Sequence, residues 1–476
     1  MARFNFSLFR KRTVNPAGGE AYAQTPELEL VSILLTSFAN DQFYRAAPDT
    51  FARLKELVAL CDKQFVAKAA VYARKEFGMR SITHVVASEL AKHVNGEPWA
   101  KDFYAAVVHR PDDMMEILAY HASTNGKVTN PMKKGFAKAF DRFDAYALAK
   151  YRGIAKAFKL VDVVNLVHPK PTSRNAEAIN ALVKDELRSF DTWETALTKA
   201  GQVATSENEK AELKKEAWEQ LVGERKIGYF ALLRNLRNIV LQSPNVLDEA
   251  LALLVDERMI RKSLVLPFRF LTAYDELQKA TNGAGVSKVL AALSDAVDIA
   301  VKNVPVLEGD TLVVLDVSGS MAGRPAQIGS LLAATLIKSN DADFMVFSDS
   351  AAYKNVNRRD STLTIAQSVR FAQGGTNFHA IFQKAKRRYD RIVILSDMQG
   401  WIGHDTPKSD YNKYKSRYDA DPVVYSFDLQ GYGTLQLPER NVYCLAGFSD
   451  KVFDVMKLLE TDKNALVTKI QEVQFN

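Results

Sequence analysis

Cysteine is almost absent: Cys61 and Cys444 are the only two in 476 residues, and they stand in unlike contexts. A disulfide framework or a thiolate zinc site needs more thiols at set spacings, so neither is expected, and a reducing, cytoplasmic setting is. Long apolar runs are missing as well. No stretch approaches the ~18 residues of a membrane span. The opening MARFNFSLFRKRTVNPAGGE has neither an apolar core nor a secretory cleavage pattern. Residues 1–20 therefore read as a mobile, basic leader. What remains is ordinary for a globular chain in water, 47% hydrophobic and 25% charged. The length implies two or more domains, or one domain with a large repeat array.

Charge supplies the first positive signal. The net charge of +7 is modest, but its placement is uneven. Residues 1–305 hold 43 Lys and Arg against 36 Asp and Glu, whereas residues 306–476 hold 20 of each. Residues 127–174 alone contain 11 basic residues and three acids, which matches the whole excess. Charge concentrated in this way is the footprint of a polyanionic partner.

From about Pro26 to Asn303 the apolar residues recur at helical spacing, as in FARLKELVALC, SITHVVASELAKHV and YFALLRNLRNIVL. Breaks at Pro48, Gly78, Pro111, Pro131, Pro244 and Pro267 cut the pattern into short helices, which predicts stacked helical hairpins. A HEAT-like solenoid fits, although no repeat period is exact. The character changes at Asn303-Val304-Pro305. Five apolar runs, 311–316, 343–348, 391–397, 422–429 and 441–447, then alternate with helical patterns. That alternation predicts a doubly wound α/β sheet. The expected division is 21–305 for the helical-repeat domain and 306–476 for the α/β domain.

TLVVLDVSGSM, residues 311–321, is a buried strand that ends in Asp316, Ser318 and Ser320. Gly374-Gly375-Thr376-Asn377 is a glycine turn with a hydroxyl, and Asp397 ends the strand RIVILSD. Open α/β sheets place ligands at such strand ends, and hard oxygen donors suit Mg²⁺ or another divalent cation. Taken singly, DxSGS is an Asp/Ser turn and Thr376 a helix cap; taken together, Asp316, Ser318, Ser320, Thr376 and Asp397 form a metal rim open to an acidic ligand. His379, near Thr376, reads as a helix-face residue. No general base stands out, so no enzyme activity is expected.

Lys133, Lys134, Lys138 and Arg142 fall at helical spacing and form one basic stripe. Lys150, Arg152, Lys156 and Lys159 form a second on the next expected helix, and His168, Lys170 and Arg174 follow at a turn. Cationic side chains neutralise phosphates, while Tyr151 and His168 offer stacking surfaces to unpaired bases. A single Lys here also fits a solvated helix face, and His168 before Pro169 also fits a helix cap. Arg234 and Arg237 in RNLRN either line an inner rim facing phosphates or pair between repeats.

Both halves resemble known families. The ordered DxSxS, Thr and Asp set is similar to the metal-ion-dependent adhesion site of von Willebrand factor type A domains. DQFYR (41–45), VYARKEFGMRS (71–81), LAKYRGIAKAFKLVDVVNLVHPKP (148–171), WEQLVGERKIGYFALLRNLRN (218–238) and LPFRFLTAYDELQKA (266–280) resemble the TROVE module. A TROVE module followed by a type A domain is the order of the Ro ribonucleoprotein family, whose bacterial members look most similar. The resemblance implies a HEAT-like helical-repeat ring closed by a doubly wound type A domain. It further implies binding of small structured Y-type noncoding RNA and of single-stranded ends of misfolded RNA. It also implies a role in RNA quality control with a 3′ exoribonuclease reached through the RNA. The family's RNA-contacting positions in this segment map to Lys150 and His168. The competing reading is a Mg²⁺-dependent protein-interaction scaffold that uses the type A domain, and it leaves the charge of 127–174 without a role. A metal-dependent nuclease would need a carboxylate-rich two-metal cluster, which the sequence lacks.

Overall fold

The structure is a computed structural model that describes residues 12–23, 25–36, 47–124, 126–153, 156–187, 197, 206–263, 265, 268–279, 284–301, 306–371, 374–403, 405–432, 434–437, 441–445, 451–461 and 465–475. The phrase at 41–45, the change of character at 303–305 and residues 1–11 of the expected leader lie outside the described residues. The chain packs as two compact units, one of residues 1–50 with 228–468 and one of residues 51–227 with 469–476. Helices of residues 229–301 thus belong to the same unit as the sheet.

The strands of the first unit, in chain order, are β1 (Arg12–Val14), β2 (Glu20–Ala23), β3 (Thr311–Asp316), β4 (Asp343–Phe347), β5 (Ala351–Tyr353), β6 (Arg391–Ser396), β7 (Val423–Asp428), β8 (Thr434–Leu435) and β9 (Val442–Leu445). The main sheet has the order β5-β4-β3-β6-β7-β9, parallel except for edge strand β5. All five apolar runs read from the sequence are its parallel strands. Residues of β3 and β6 are buried throughout, as strands covered on both faces require. On one face Leu312, Val314, Ile392 and Ile394 pack with Phe378, Phe382, Tyr411 and Tyr414. Each such burial contributes roughly 1.5–3 kcal/mol. On the other lies helix Arg324–Asn340, where a Cβ at Gly329 would come within 2.8 Å of Leu315 and 3.2 Å of Leu429. Only glycine lets that helix lie so close to β3. Strand order runs outward in both directions from β3 and β6, so the sheet has its topological switch point between their C-terminal ends.

The leader expected at 1–20 is corrected for its described part. Residues 12–23 form the hairpin β1–β2, and β2 pairs with β8. Asn15 makes the turn: its Oδ1 accepts from Gly19 N at 2.9 Å, and its Nδ2 donates to Gly400 O at 2.6 Å. Gly18 takes the left-handed conformation at φ 87°. Ala21 and Tyr22 are buried, and the Tyr22 hydroxyl lies 3.1 Å from that of Thr406. Two strands this short carry too little periodicity to be seen in a sequence.

In the second unit short helices pack in alternation. Helix Lys63–Glu76 lies against Ala100–Val107, Ser81–Leu90 against Pro111–Ser123, and Ala100–Val107 against Asn130–Ala139. Packing on the next helix but one is how stacked hairpins bury a continuous core. Asp62 caps the first of these helices by accepting from Phe65 N at 2.7 Å. Asp113 anchors the stack. It accepts from Arg74 Nη2 at 3.0 Å, Arg80 Nε at 2.8 Å, and the backbone N–H groups of His109 and Arg110 at 2.9 and 3.0 Å. His84 Nε2 lies 3.0 Å from it. Met114 and Met115 are core residues, and Ser206 caps helix Glu207–Gly223, in which acids and lysines are mixed and Trp218 is buried.

One helix was misread. The second basic stripe assumed a helix through Lys150, Arg152, Lys156 and Lys159. Instead helix Ala145–Lys150 stops at Lys150, and the next begins at Leu160. Gly153, at φ 71°, takes the chain out of helical geometry, and a Cβ there would meet Met115 Sδ at 2.8 Å.

Candidate functional site

The switch point of the main sheet gathers the residues read as a metal rim. Asp316 ends β3, Ser318 and Ser320 follow in the next turn, and Asp397 follows β6. Asp316, Ser318, Ser320, Thr376 and Asp397 are all buried. The glycine turn reaches the loop directly, since Gly319 N donates to Gly374 O at 3.2 Å. Ser318 and Ser320 hold their hydroxyl oxygens 3.2 Å apart. Asp316 Oδ1 accepts from Ser318 N at 2.9 Å and its Oδ2 from Ser396 Oγ at 2.6 Å. Asp349 supports the glycine turn by accepting from Gly375 N at 2.7 Å.

Electrostatics make this rim receptive to a cation. Burial raises the pKa of both carboxyls, and the neighbouring charge of Asp316 raises that of Asp397 further. Thr376 Oγ1 and Asp397 Oδ2 are buried without a hydrogen-bond partner among the described residues. Buried polar atoms are normally satisfied. Two carboxylates and three hydroxyls facing a shared space fit a divalent cation that keeps some of its waters. Among the described residues, the rim included, no three His, Cys, Asp or Glu side chains gather as ligands, so the rim offers a cation mainly hydroxyl oxygens beside its two carboxyls. His379 opens helix His379–Lys384, with Nδ1 2.7 Å from Asp410 Oδ2 and Nε2 2.9 Å from Asp405 O. Both ring nitrogens are thus engaged on its own side of the loop.

Sequence reading overlooked the shelf beneath the rim. Asp428 ends β7 opposite Ser396, is fully buried, and accepts from Gln430 N at 3.2 Å and Gly431 N at 2.7 Å. Gln399 Nε2 donates to Asp397 O and Thr434 Oγ1, each at 3.0 Å. Met398 takes a left-handed φ of 59°, so the residue after Asp397 is held in an uncommon conformation. The signal for Asp428 was available: it is a third carboxylate at the end of an apolar strand.

The basic segment lies in the second unit, and its residues have divided roles. Lys133 and Lys134 sit on helix Asn130–Ala139, with Lys134 exposed. Lys138 pairs with Asp102 at 2.8 Å. Arg142 donates to the carbonyls of Ala105 and Val108 near the C-terminus of helix Ala100–Val107, the latter at 2.6 Å. Arg174 reaches the carbonyl of Arg142 at 3.4 Å, and Asn175 pins that turn by donating to Phe140 O at 2.7 Å. Arg152 donates to Leu187 O, and Lys156 pairs with Glu116. The ammonium of Lys150 lies 5.5 Å from the Tyr146 ring centroid and 5.8 Å from that of Tyr151. Arg110, overlooked in the sequence, stacks on Tyr151 at 4.3 Å. His168 caps helix Leu160–Val167 in the left-handed conformation at φ 46° and is exposed, as is Lys170. The side chains of Lys134, His168 and Lys170 make no ion pair or hydrogen bond among the described residues. The structure therefore joins Arg142 to Arg174, and Lys150 to Tyr146, Tyr151 and Arg110, while Arg152 and Lys156 are turned to local partners.

No helix among the described residues is long and apolar enough to cross a membrane. A family model described as TROVE domain matches residues 36–212 and 186–288. Telomerase protein component 1 of Mus musculus is 21% identical to the chain, over 56% of the chain and 13% of that protein. RNA-binding protein RO60 of Deinococcus radiodurans is 27% identical, over 47% of the chain and 48% of that protein. The matched part thus spans less than half the length of these relatives. The crystal structure of the Deinococcus radiodurans RO (RSR) protein superposes with a TM-score of 0.61 at 19% identity, covering 91% of this chain and 98% of that one. That likeness establishes a shared fold, a helical-repeat array followed by a doubly wound α/β domain of the von Willebrand type A kind. With the TROVE match running through more than half its length, the chain belongs to the Ro ribonucleoprotein family.

Proposed function

We propose that the chain is an RNA-binding protein without catalysis of its own. The observation that carries this reading is the basic segment of the second unit. There Lys134, His168 and Lys170 stand exposed, and Lys150 lies among Tyr146, Tyr151 and Arg110. Cations interleaved with rings neutralise phosphates and stack unpaired bases. The likeness to RNA-binding protein RO60 of Deinococcus radiodurans supports the same reading. In its finer form, the RNA is a small structured Y-type noncoding RNA together with single-stranded ends of misfolded RNA. The setting is cytoplasmic RNA quality control or degradation, with a 3′ exoribonuclease recruited through the RNA. Crosslinking in the native cell and sequencing of the copurified RNA tests this. A short structured RNA is the expected result; no RNA enriched above background overturns it.

A second reading is favoured by the unsatisfied Thr376 Oγ1 and Asp397 Oδ2. Asp316, Ser318, Ser320, Thr376 and Asp397 would hold Mg²⁺, which supplies an open coordination position for an acidic group of a partner. The chain's own residues supply two carboxyls and three hydroxyls, and the loop that carries Ser318 and Ser320 is tied to the glycine turn through Gly319 N and Gly374 O. On this reading Asp316→Ala abolishes partner capture, while RNA binding is absent altogether.

A further inference from the structure

The small sheet β1-β2-β8 grips the loop that leaves the rim after Asp397. On the β8 side, Thr434 Oγ1 accepts from Gln399 Nε2 at 3.0 Å, and Gln436 Nε2 donates to Met398 O at 2.9 Å. On the hairpin side, Asn15 Nδ2 donates to Gly400 O at 2.6 Å, the Tyr22 hydroxyl lies 3.1 Å from that of Thr406, and Arg12 pairs with Asp405 at 3.6 Å. The close approach is built in at Gly19. A Cβ there would run into Gly400 O and come within 2.6 Å of Trp401 Cα, so only glycine lets the hairpin lie on this peptide.

The peptide group between Gly400 and Trp401 is the link from hairpin to rim. Its carbonyl accepts from Asn15 Nδ2, and its N–H donates to Thr376 O at 3.2 Å. Ile402 N donates to the same Thr376 carbonyl at 3.3 Å. Asn15 is thus joined to Thr376 across a single rigid plane, and each bond in such a chain polarises the next. Asn15 is itself buried and fixed: its Oδ1 accepts from Gly19 N, its N–H donates to Gly19 O and its carbonyl accepts from Gly18 N, each at 2.9 Å. Thr376 spends its carbonyl on the loop and keeps Oγ1 buried without a hydrogen-bond partner among the described residues. Its backbone is held while its hydroxyl is left for a ligand. The glycine turn has two further anchors, Gly375 N to Asp349 Oδ1 at 2.7 Å and Asn377 N to Ser348 O at 2.8 Å. Both acceptors follow β4, whereas Trp401 and Ile402 tie the turn to the loop that carries Asp397.

We propose that the hairpin β1–β2 is a working part of the rim: Asn15 and Gly19, acting through the Gly400–Trp401 peptide, position Thr376 to bind a divalent cation. This rests on the reading of Asp316, Ser318, Ser320, Thr376 and Asp397 as a cation site. Asn15 and Gly19 are positioning residues, nearly 400 positions from the loop they hold. The test is terbium titration of the full chain, with lifetimes of the bound ion in H₂O and D₂O counting its waters. Asn15→Asp keeps an oxygen to accept from Gly19 N, and so keeps the turn, but has no N–H for Gly400 O. It is expected to bind terbium about tenfold more weakly, with about one more coordinated water than the wild type as Thr376 leaves the ion. Gly19→Ala pushes the same peptide away and should show the same added water. Arg12→Gln removes only exposed ion pairs, with Glu20 and Asp405, and should match the wild type. The lifetime is read from the bound ion alone, so a merely less stable fold leaves it unchanged. Wild-type affinity and lifetime in both Asn15→Asp and Gly19→Ala overturn the positioning role and leave the cation site standing. Weaker affinity with an unchanged water count, or an Arg12→Gln protein as weak as Asn15→Asp, shows general loosening and overturns it as well. Terbium bound no better by the wild type than by Asp316→Ala overturns the cation site itself, and the hairpin's role with it.

Discussion

The side-chain amide of Gln430 donates to the backbone carbonyl of Ser320 across 3.0 Å. Tyr432 in turn donates its hydroxyl to Gln430 Oε1 at 3.1 Å. The turn after β7 thus fixes the loop that presents Ser318 and Ser320. Supports behind metal ligands are worth about 10- to 100-fold in affinity. Gln430→Ala is expected to weaken Mn²⁺ binding about tenfold with the fold retained, and Asp316→Ala to abolish it. Displacement by Mn²⁺ of terbium excited through Trp401 offers the readout, because the indole lies against the glycine turn: a Cβ at Gly375 would come within 2.5 Å of Trp401 Cζ2. Equal affinity in Gln430→Ala would show that the loop holds its shape unaided.

Asp113 should govern the acid stability of the second unit. Burial alone would raise its pKa, but the hydrogen bond from His84 and the charge of Arg74 outweigh it and hold the carboxyl well below its usual range. A depressed folded pKa contributes stability above the unfolded value of about 4, and that stability is lost as pH falls further. Asp113→Asn leaves Arg74 and Arg80 without their shared carboxylate, at a cost of ~3–5 kcal/mol. Urea unfolding at pH 7 and pH 3.5, followed by circular dichroism, checks both points. The wild type should approach the variant at the lower pH.

Arg142 and Lys134 should part company although the sequence placed them in one stripe. Arg142 satisfies two carbonyls at a helix end, so Arg142→Ala is expected to cost ~1–3 kcal/mol of stability. Lys134→Ala should leave thermal unfolding unmoved and lower RNA affinity. A thermal melt beside a filter-binding titration separates the two roles.

Much of the α/β unit was legible because its cues are local. Each parallel strand is an apolar run followed by a helical pattern, and Asp316, Thr376 and Asp397 announce themselves at strand ends and a glycine turn. Asp428 carried the same cue without a motif around it. The hairpin at 12–23 escaped because its order comes from partners nearly 400 residues away, such as Asn15 to Gly400. The stripe through Lys150–Lys159 failed because the helix stops at Lys150 and Gly153 turns the chain away, while the charge spacing continues past both. Charge spacing sees which residues could share a face, not which are spent on carbonyls and acids. Arg152 and Lys156 are spent in that way, and Lys170 is not.

Salt dependence of RNA binding tests the central claim most directly. The measurement is a filter-binding titration of a small structured RNA against salt, for the wild type and a variant with Lys134, Lys150, His168 and Lys170 replaced by Gln. The wild type should lose affinity steeply with salt, and the variant should bind weakly with a slope shallower by about 2–3, one phosphate contact for each lost lysine. Equal affinity and equal slope in the two proteins would contradict the assignment of RNA binding to this segment.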